Sequence, residues 1–192
     1  MKTFSQFIFC LLLSGSLAAQ ENSFKKKYVN HTEFGGLLGR VKSSYGYMQN
    51  TVESKASITA QTFNGLQLNK RLSAGITVGM DWYKTALVNP FAAGIRYDMF
   101  TGNSARLFGI LDAGYGFTWF HQDSDGYNTK GGWMLNPGIG VKYGKPGGNA
   151  FTIVLSYKRQ ELHVDKPLYS DQQIRFEERI YNRLALRLGM YL

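Results

Sequence analysis

The sequence contains little cysteine, little proline and no long apolar segment. One cysteine and four prolines occur in 192 residues, and the cysteine, Cys10, lies within an apolar run at 7–13. Because the cysteine lies inside that run and not after it, we do not interpret it as a lipid-attachment site. No segment reaches the roughly 20 apolar residues that a membrane-spanning helix needs, so any insertion into a bilayer must use strands.

The first residues have the three parts of a secretory signal peptide. Lys2 provides the positive start, residues 7–13 the apolar part, and residues 16–19 the small side chains at which such peptides are cleaved. The chain therefore divides into three predicted parts, a signal peptide at 1–20, a periplasmic amino-terminal segment at 21–31 and one folded domain at 32–192. The exported chain lacks cysteine, which excludes disulfides and zinc–thiolate sites.

From residue 32 onward apolar and polar residues alternate with a period of two, which is typical of strands with one apolar face. The end of the chain is the clearest case, since the even positions of 184–192 are Leu, Leu, Leu, Met and Leu. Eight such segments are predicted, at 33–43, 56–68, 73–84, 91–100, 106–120, 132–144, 150–162 and 179–191.

The links between these segments alternate in length. The short links are at 69–72, 101–105 and 145–149, and the mostly longer, more polar ones are at 44–55, 85–90, 121–131 and 163–178. A membrane barrel has short periplasmic turns and longer external loops, and an even strand count follows when both chain ends are periplasmic. We therefore predict an all-β fold, an eight-stranded antiparallel up-and-down transmembrane β-barrel in the outer membrane.

The polar face of these segments combines glycine with charge. Its glycines are Gly75, Gly79, Gly94, Gly114, Gly116, Gly138, Gly140 and Gly189. Glycine weakens a solvated strand, but it suits the crowded interior of a narrow barrel. The charged residues of this face are predicted to pair inside the barrel as a lumen polar network, which consists of Asp81, Arg96, Asp98, Asp112, Lys142, Lys158 and Arg187.

Large aromatic residues fall near both ends of the predicted strands. The predicted aromatic girdles comprise Trp82, Trp119 and Trp133 at the outer rim and Tyr97, Tyr143, Phe151 and Tyr191 at or near the inner rim. Two aromatic girdles that flank an apolar band suit a barrel in lipid. The alternative fold is a soluble lipocalin-like barrel, in which the same apolar residues would form the core.

Two consecutive stretches resemble a known group of proteins. Residues 62–69, TFNGLQLN, form the approach to a turn, and residues 72–83, LSAGITVGMDWY, form a glycine-rich strand that ends in aromatics. In these features the chain resembles the small outer-membrane β-barrel proteins that are common in Bacteroidota, many of which have no assigned role. The resemblance implies the barrel architecture and an outer-membrane location, and it is nearly silent on activity.

The final strand resembles the amphipathic carboxy-terminal signal that barrel-assembly machinery recognises. The residues that carry this resemblance are Leu184, Leu186, Leu188, Gly189, Met190 and Leu192. Such signals usually finish on an aromatic residue, whereas this chain finishes on Leu192 after Tyr191. The resemblance implies the assembly machinery as a partner during biogenesis.

One polar segment offers groups for hydrolysis. Some eight-stranded barrels are lipid-modifying enzymes that use a histidine, a serine and an acid near the outer rim, and here His121 and Ser124 lie beside Asp123 and Asp125. Spacing within a loop fixes no triad geometry, so a lipid hydrolase is an alternative and a non-enzyme is the expectation. The same segment lacks the later glutamate of a calcium loop, and neither a metal site nor a cofactor is predicted.

The interior of an eight-stranded barrel is just wide enough for side chains to fill it. The inward charges, with Phe63, Tyr83, Phe100 and Phe108, are predicted to fill this one, which excludes a general porin and leaves a narrow pore as a further alternative. Basic residues at the outer strand ends are predicted to pair with lipopolysaccharide phosphates, and nucleic acid is not a partner. The leading hypothesis is a structural or interaction protein of the Gram-negative envelope, which binds lipid or serves as an accessory subunit of a surface assembly.

Overall fold

A computed structural model describes residues 25–45, 49–83, 86–101, 105–123, 127–145, 148–168 and 173–192. The strands are β1 (Lys27–Tyr45), β2 (Gln49–Gln67), β3 (Leu72–Tyr83), β4 (Ala86–Thr101), β5 (Ala105–Phe117), β6 (Asn128–Lys130), β7 (Gly132–Gly144), β8 (Ala150–Leu168) and β9 (Gln173–Tyr191). Within these ranges, no helix has the length and apolar character needed to cross a membrane.

The strands close into one antiparallel barrel. Consecutive long strands pair with each other, and β9 pairs with both β8 and β1, which closes the sheet on itself. The three-residue strand β6 pairs with β8 just beyond the part of β8 that pairs with β7, so β6 and β7 together occupy one position of the wall. The closed barrel of eight strand positions confirms the predicted fold.

The first and last described strands begin and end, respectively, at one rim, which we call the inner rim; the opposite one is the outer rim. The backbones of Asn30 and Leu192 exchange two hydrogen bonds there, of 3.0 and 2.9 Å. In the turn between β2 and β3, the side-chain oxygen of Asn69 accepts hydrogen bonds from the backbone N–H groups of Arg71 and Leu72, at 2.9 and 2.8 Å. Asparagine favours turns because its side chain can satisfy the backbone in this way.

The strands on one side are longer than the sequence predicts. The hairpins β1–β2 and β8–β9 continue through most of the predicted loops 44–55 and 163–178, and β8 and β9 stay paired as far as Leu168 opposite Gln173. The added residues are mostly polar on both faces, so their alternation is weak. These residues nevertheless form strands, because pairing with the neighbouring strand satisfies the hydrogen bonds of their backbone N–H and C=O groups.

The other side of the barrel is low at the outer rim. There, β3 ends at Tyr83, which pairs with Ala86 at the start of β4, inside the predicted link 85–90. The wall formed by β8, β9 and the neighbouring β1, which we call the tall wall, therefore stands well above the wall formed by β3 and β4, which we call the low wall.

The predicted boundary of the folded domain at residue 32 is wrong. β1 begins at Lys27, so the last five residues of the predicted periplasmic segment 21–31 are strand. They pair with the end of β2, from Lys27 opposite Gln67 to His31 opposite Phe63. His31, predicted to lie before the first strand, is therefore part of the barrel and is buried in its interior.

The outer surface of the barrel is apolar across its middle. Side chains exposed there include Ile76, Val78, Phe91, Ile95, Leu111, Leu135, Ile139, Val141, Ile153, Leu155, Leu186 and Leu188. The soluble lipocalin-like alternative is wrong, because in such a barrel these residues would form the core. An apolar band outside and charged residues inside are what a barrel in lipid requires.

A register shift in β4 places Phe100, which was predicted to face the lumen, on the outer surface. The register of β4 against β5 shifts between Asp98 and Phe100, as at a β-bulge. Because an extra residue reverses which face the following side chains occupy, Phe100 points outward and is 71% exposed. Phe100 therefore does not help to fill the lumen, whereas Phe63 and Phe108 are fully buried inside it.

Candidate functional site

The lumen is filled in three successive layers, and the layer nearest the inner rim is aromatic. The ring of His31 contacts those of Phe63, Phe108 and Tyr191, with centroids 5.7, 5.6 and 4.7 Å apart. The ammonium of Lys142 lies 4.7 Å from the centre of the Phe108 ring and 2.7 Å from Asp98. Cations over aromatic faces and paired with acids are stabilised without bulk water.

The middle layer consists of buried ion pairs, and one of them centres on Asp112. Its Oδ1 accepts hydrogen bonds from Arg96 and from the Thr77 hydroxyl, both at 2.7 Å, and its Oδ2 accepts one from Asn136 at 3.0 Å. The guanidinium of Arg96 also lies 4.3 Å from the ring centre of Phe63, which links this layer to the aromatic one.

Two further ion pairs complete the middle layer. Lys158 lies 2.5 Å from Asp81, and neither side chain has exposed surface. The Nε of Arg187 donates to Glu33 at 2.8 Å, and Gln61 donates to the same carboxylate oxygen at 3.0 Å. The structure thus places all seven residues of the predicted polar network inside the barrel and adds Glu33 to them.

The outermost layer of the lumen is apolar and was not predicted. It consists of Leu37, Val41, Tyr83, Ala86, Val88, Leu162, Tyr181 and Ala185, all buried. The rings of Tyr83 and Tyr181 stack across it with centroids 4.3 Å apart. This apolar layer lies between the ion pairs below and the outer mouth above, and apolar constrictions of this kind hinder the passage of water and ions. Two polar groups reach it: the buried guanidinium of Arg183 lies 5.8 and 5.7 Å from the ring centres of Tyr83 and Tyr181, and the Tyr83 hydroxyl donates to Asp81 at 3.3 Å.

Above the apolar layer the mouth forms a blind cup of about 560 Å³. Its floor comes from the apolar layer, and its sides come from β6, β8, β9 and the segment after β5. The residues that line it are Tyr83, Ala86, Leu87, His121, Gln122, Asp123, Tyr127, Thr129, Val164, Lys166 and Arg179. The cup therefore combines an apolar floor with charged and polar sides.

His121 and Asp123 fix one side of the cup. The carboxylate of Asp123 accepts hydrogen bonds from the backbone N–H and the hydroxyl of Thr129, at 2.9 and 2.5 Å. His121 accepts the backbone N–H of Leu87 at Nδ1, at 3.3 Å, and its Nε2 lies 3.3 Å from Asp123. This arrangement holds the segment after β5 against both β4 and β6.

The same contacts weaken the hydrolase interpretation. A general base needs a ring nitrogen with a free lone pair, and the Nδ1 of His121 accepts from Leu87 while its Nε2 faces Asp123. The proposed nucleophile, Ser124, lies outside the described residues. In the described part of the chain, no group of three or more histidine, cysteine or acidic residues is placed to hold a metal ion.

The neighbouring side of the cup, formed by β8 and β9, carries a triad of charges. Glu177 lies 2.8 Å from Lys166 and 2.7 Å from Arg179. Burial by itself would raise the pKa of Glu177, but the hydrogen bonds from Arg179 and Lys166 outweigh it, and the pKa lies below the ordinary value of 4.5. Glu177 is therefore ionised at neutral pH, and the triad has a net charge of about +1.

The predicted aromatic girdles point outward, with one exception. The exposed members are Trp82, Trp119 and Trp133 near the outer rim and Tyr97, Tyr143 and Phe151 nearer the inner rim. Tyr191 is the correction, because it lies on the inward face of β9 with Arg187 and contacts His31 in the lumen. Trp119 lies in the turn after β5 and stacks on Phe117, with centroids 4.3 Å apart.

The residues of the predicted assembly signal occupy both faces of β9. Leu184, Leu186, Leu188, Met190 and Leu192 are exposed on the outside of the barrel or at its end. Gly189 faces inward, where a Cβ atom would lie 2.2 Å from the carbonyl oxygen of Thr32, so this position requires glycine. Recognition by the assembly machinery stays a prediction.

Comparison with known proteins identifies the fold. No family model matches the chain, and no curated protein matches it in sequence. The outer membrane protein OprG from Pseudomonas aeruginosa aligns over 85% of this chain and 93% of its own, with 12% identity and a TM-score of 0.59. Neisserial surface protein A aligns over 88% and 98%, with 13% identity and a TM-score of 0.51.

A third structure, AlkL in lipid bilayers, aligns over 90% of this chain and 92% of its own, with 11% identity and a TM-score of 0.52. At these identities what is shared is the fold. That fold and the apolar outer band together make this chain a β-barrel of the outer-membrane type. The narrower resemblance to barrels of Bacteroidota stays a prediction, and so does the signal peptide at 1–20, which lies outside the described residues.

Proposed function

We propose that this chain is an interaction protein of the outer membrane, a barrel that is closed to transport and receives its ligand in the cup at its outer mouth. The apolar layer is the observation that carries this proposal. It separates the cup from the ion pairs of the lumen, and the stacked rings of Tyr83 and Tyr181 lie at its centre. A solute that enters the cup meets closely packed side chains, mostly apolar, with the one buried guanidinium of Arg183 held beside the two rings.

The cup has the size and chemistry of a binding site. Pockets for small molecules range over roughly 300–1,000 Å³ and combine an apolar surface with a few placed polar groups. Here Tyr83 and Ala86 of the floor and Val164 of the side offer apolar contact, and Lys166 and Arg179 offer charged donors. A ligand with an apolar body and a polar or acidic group fits this arrangement, as does the tip of a partner protein that carries such groups.

The tall wall supports the same proposal. Beyond Tyr157, the last exposed apolar residue of its outward face, β8 continues to Leu168, which is about 36 Å of strand at roughly 3.3 Å per residue. Pairing with β9 stiffens this extension along its whole length. The wall thus presents one side of the cup as a rigid surface above the membrane.

Single-cysteine labelling tests whether the lumen is sealed below the cup. The exported chain is predicted to contain no cysteine, so each introduced thiol is unique. Gln122→Cys lies in the exposed lining of the cup, and Ala92→Cys lies on the inward face of β4 below the apolar layer. We expect a charged, membrane-impermeant thiol reagent to label Gln122→Cys roughly a hundredfold faster in sealed vesicles, because thiol reactivity follows access.

Comparison of the two labelling rates also shows which results would contradict the proposal. Equal labelling rates at the two positions, in protein whose folding is verified by heat-modifiable migration on gels, would show a continuous water path and overturn the closed-barrel proposal. Labelling that is slow at both positions would show that the cup itself is closed, and would overturn its role as the binding site.

A further inference from the structure

On the outside of the tall wall, three neighbouring strands change from apolar to polar at the same register position. Leu184 of β9 pairs with Leu38 of β1 and with Tyr157 of β8, and all three side chains are exposed. The next outward position on each strand toward the outer rim is polar: Asn182 pairs with Arg40 and with Arg159. We call Arg40, Asn182 and Arg159 the basic row.

The basic row brings two guanidinium groups to the edge of the lipid-facing surface. Adjacent strands lie about 4.8 Å apart, so the backbones of Arg40 and Arg159 are separated by roughly 10 Å across β9, and their long side chains can meet over Asn182. The Tyr157 hydroxyl donates to the side-chain oxygen of Asn182 at 2.9 Å, which orients the amide and leaves its NH₂ group as a further donor.

The backbones of β1 and β9 lie close together at this position. Gly39, next to Arg40, has a φ of +149°, and a Cβ atom there would lie 2.4 Å from the carbonyl oxygen of Asn182. On the lumen side, Arg183 donates to the Gly39 carbonyl oxygen at 2.6 Å. The backbone that carries Arg40 is therefore held firmly against the backbone that carries Asn182.

One acid lies beside the basic row. Glu161 accepts hydrogen bonds from the Nε and Nη2 of Arg159, at 3.2 and 2.9 Å. Lys42, one outward position beyond Arg40, is also exposed. With Arg40, Lys42 and Arg159 against Glu161, the local charge is about +2 at neutral pH.

Other parts of the outer rim differ from this patch. Lys130, on the far side of β8, is bound to Asp165 at 2.9 Å and contributes little net charge. On the low wall, the described rim is aromatic, with Trp82 and Phe117 near the ends of β3 and β5. The described residues therefore place this net positive patch on the tall wall, directly above its apolar surface.

We propose that the basic row binds the phosphate of a phosphorylated outer-leaflet lipid of the lipid A type, whose acyl chains lie along Leu38, Leu184 and the apolar positions below them. Guanidinium groups bind phosphate through paired, charge-assisted hydrogen bonds, which ammonium groups do not match in geometry. The position favours a lipid over a free anion, because the donors adjoin a surface that already requires acyl chains. This site uses the outside of the barrel and does not depend on the cup.

Lipid binding to the purified, folded barrel tests this proposal. Native mass spectrometry in detergent would compare lipid A, the same lipid without its phosphates, and inorganic phosphate as separate probes. We expect lipid A to bind most tightly, and the double variant Arg40→Gln/Arg159→Gln to bind it roughly thirtyfold more weakly, since each cation near a membrane surface contributes on the order of a factor of five. Removal of the lipid's phosphates should weaken binding to the wild type similarly.

Two further variants separate phosphate recognition from a general effect on the surface. Glu161→Gln removes the competing carboxylate from Arg159 and should tighten lipid A binding. Lys130→Gln removes an exposed cation that already has a partner, and should leave the affinity unchanged. The proposal is overturned if lipid A binds no better than its dephosphorylated form, if the double variant retains full affinity, or if inorganic phosphate competes at the same concentration as the lipid.

Discussion

The lumen and the cup are lined by the inward residues of the same strands, yet they are different environments. In the lumen, Lys158 and Asp81 form an ion pair in which neither side chain is exposed. In the cup, Lys166 and Glu177 form a pair of similar length on the same two-stranded wall as Lys158, but Lys166 is 24% exposed. The same residue types therefore form a buried pair in the lumen and an accessible pair in the cup. The height of the surrounding strands decides which of the two is formed.

The heights of the walls explain the difference. β3 and β4 meet at Tyr83 and Ala86, whereas β8 and β9 continue to Leu168 and Gln173. Below Tyr83 the inward side chains are enclosed by strands on all sides of the barrel. Above Tyr83 the inward side chains of the tall wall line the open mouth. The apolar layer lies at this transition and separates charges that hold the barrel together from charges that can meet a ligand.

The largest expected effect comes from breaking the lumen pair. Lys158→Met leaves Asp81 charged and unpaired in the interior, and should lower the free energy of unfolding by about 3–5 kcal/mol. The matched change in the cup, Lys166→Met, should cost at most about 1 kcal/mol, because Lys166 is partly exposed and the buried Glu177 keeps its second partner, Arg179. Urea unfolding in lipid vesicles, followed by tryptophan fluorescence, measures both.

A second variant controls for volume and charge at the same place. Asp81→Leu/Lys158→Met removes both charges and should recover much of the stability, because a buried pair is roughly equivalent to apolar residues of similar size. Equal losses for Lys158→Met and Lys166→Met would contradict the distinction between lumen and cup.

A smaller and local effect is expected at the side of the cup fixed by Asp123. Asp123→Ala removes both hydrogen bonds to Thr129 and the contact with His121, and should destabilise the segment after β5 by about 1–3 kcal/mol. Hydrogen exchange should then accelerate at the Thr129 amide while the global unfolding transition stays in place. A global shift as large as that of Lys158→Met would mean that the cup and the lumen form one cooperative unit.

The smallest effect is the pH dependence of the cup triad. Because the pKa of Glu177 is lowered in the folded protein, the triad's contribution to stability is fully present above about pH 4.5 and is lost as the pH falls below that value. Its size should be about 1 kcal/mol. Glu177→Gln should flatten this part of the profile; a variant profile that still follows the wild type would contradict the role of Glu177.

The sequence predicts the lumen well because its pattern has a period of two. Arg96, Asp112 and Lys142 alternate with apolar residues on their strands, so the face that each occupies follows from position alone. The rest depends on register and length. The bulge that turns Phe100 outward leaves no signal in the alternation, and Tyr191 is aromatic at a rim but lies on the inward face.

The cup could not be predicted from the sequence, and the reason is different. Its walls come from residues such as Lys166 and Glu177, which are polar and fall in predicted loops, and they become strand because β8 and β9 pair beyond the membrane. One signal was present: Leu162 and Val164 continue the inward face of Lys158 with apolar residues. A change from polar to apolar on an inward face marks the place where a filled lumen ends.

Ion conductance across a planar bilayer tests the central claim, a lumen closed between the cup and the inner rim, most directly. With folded, inserted protein, we expect a membrane current no larger than that of the bare bilayer in concentrated salt, because the apolar layer and the ion pairs leave no continuous water path. Stable current steps in the wild type that grow in proportion to salt concentration would contradict it, and would make the barrel a narrow pore.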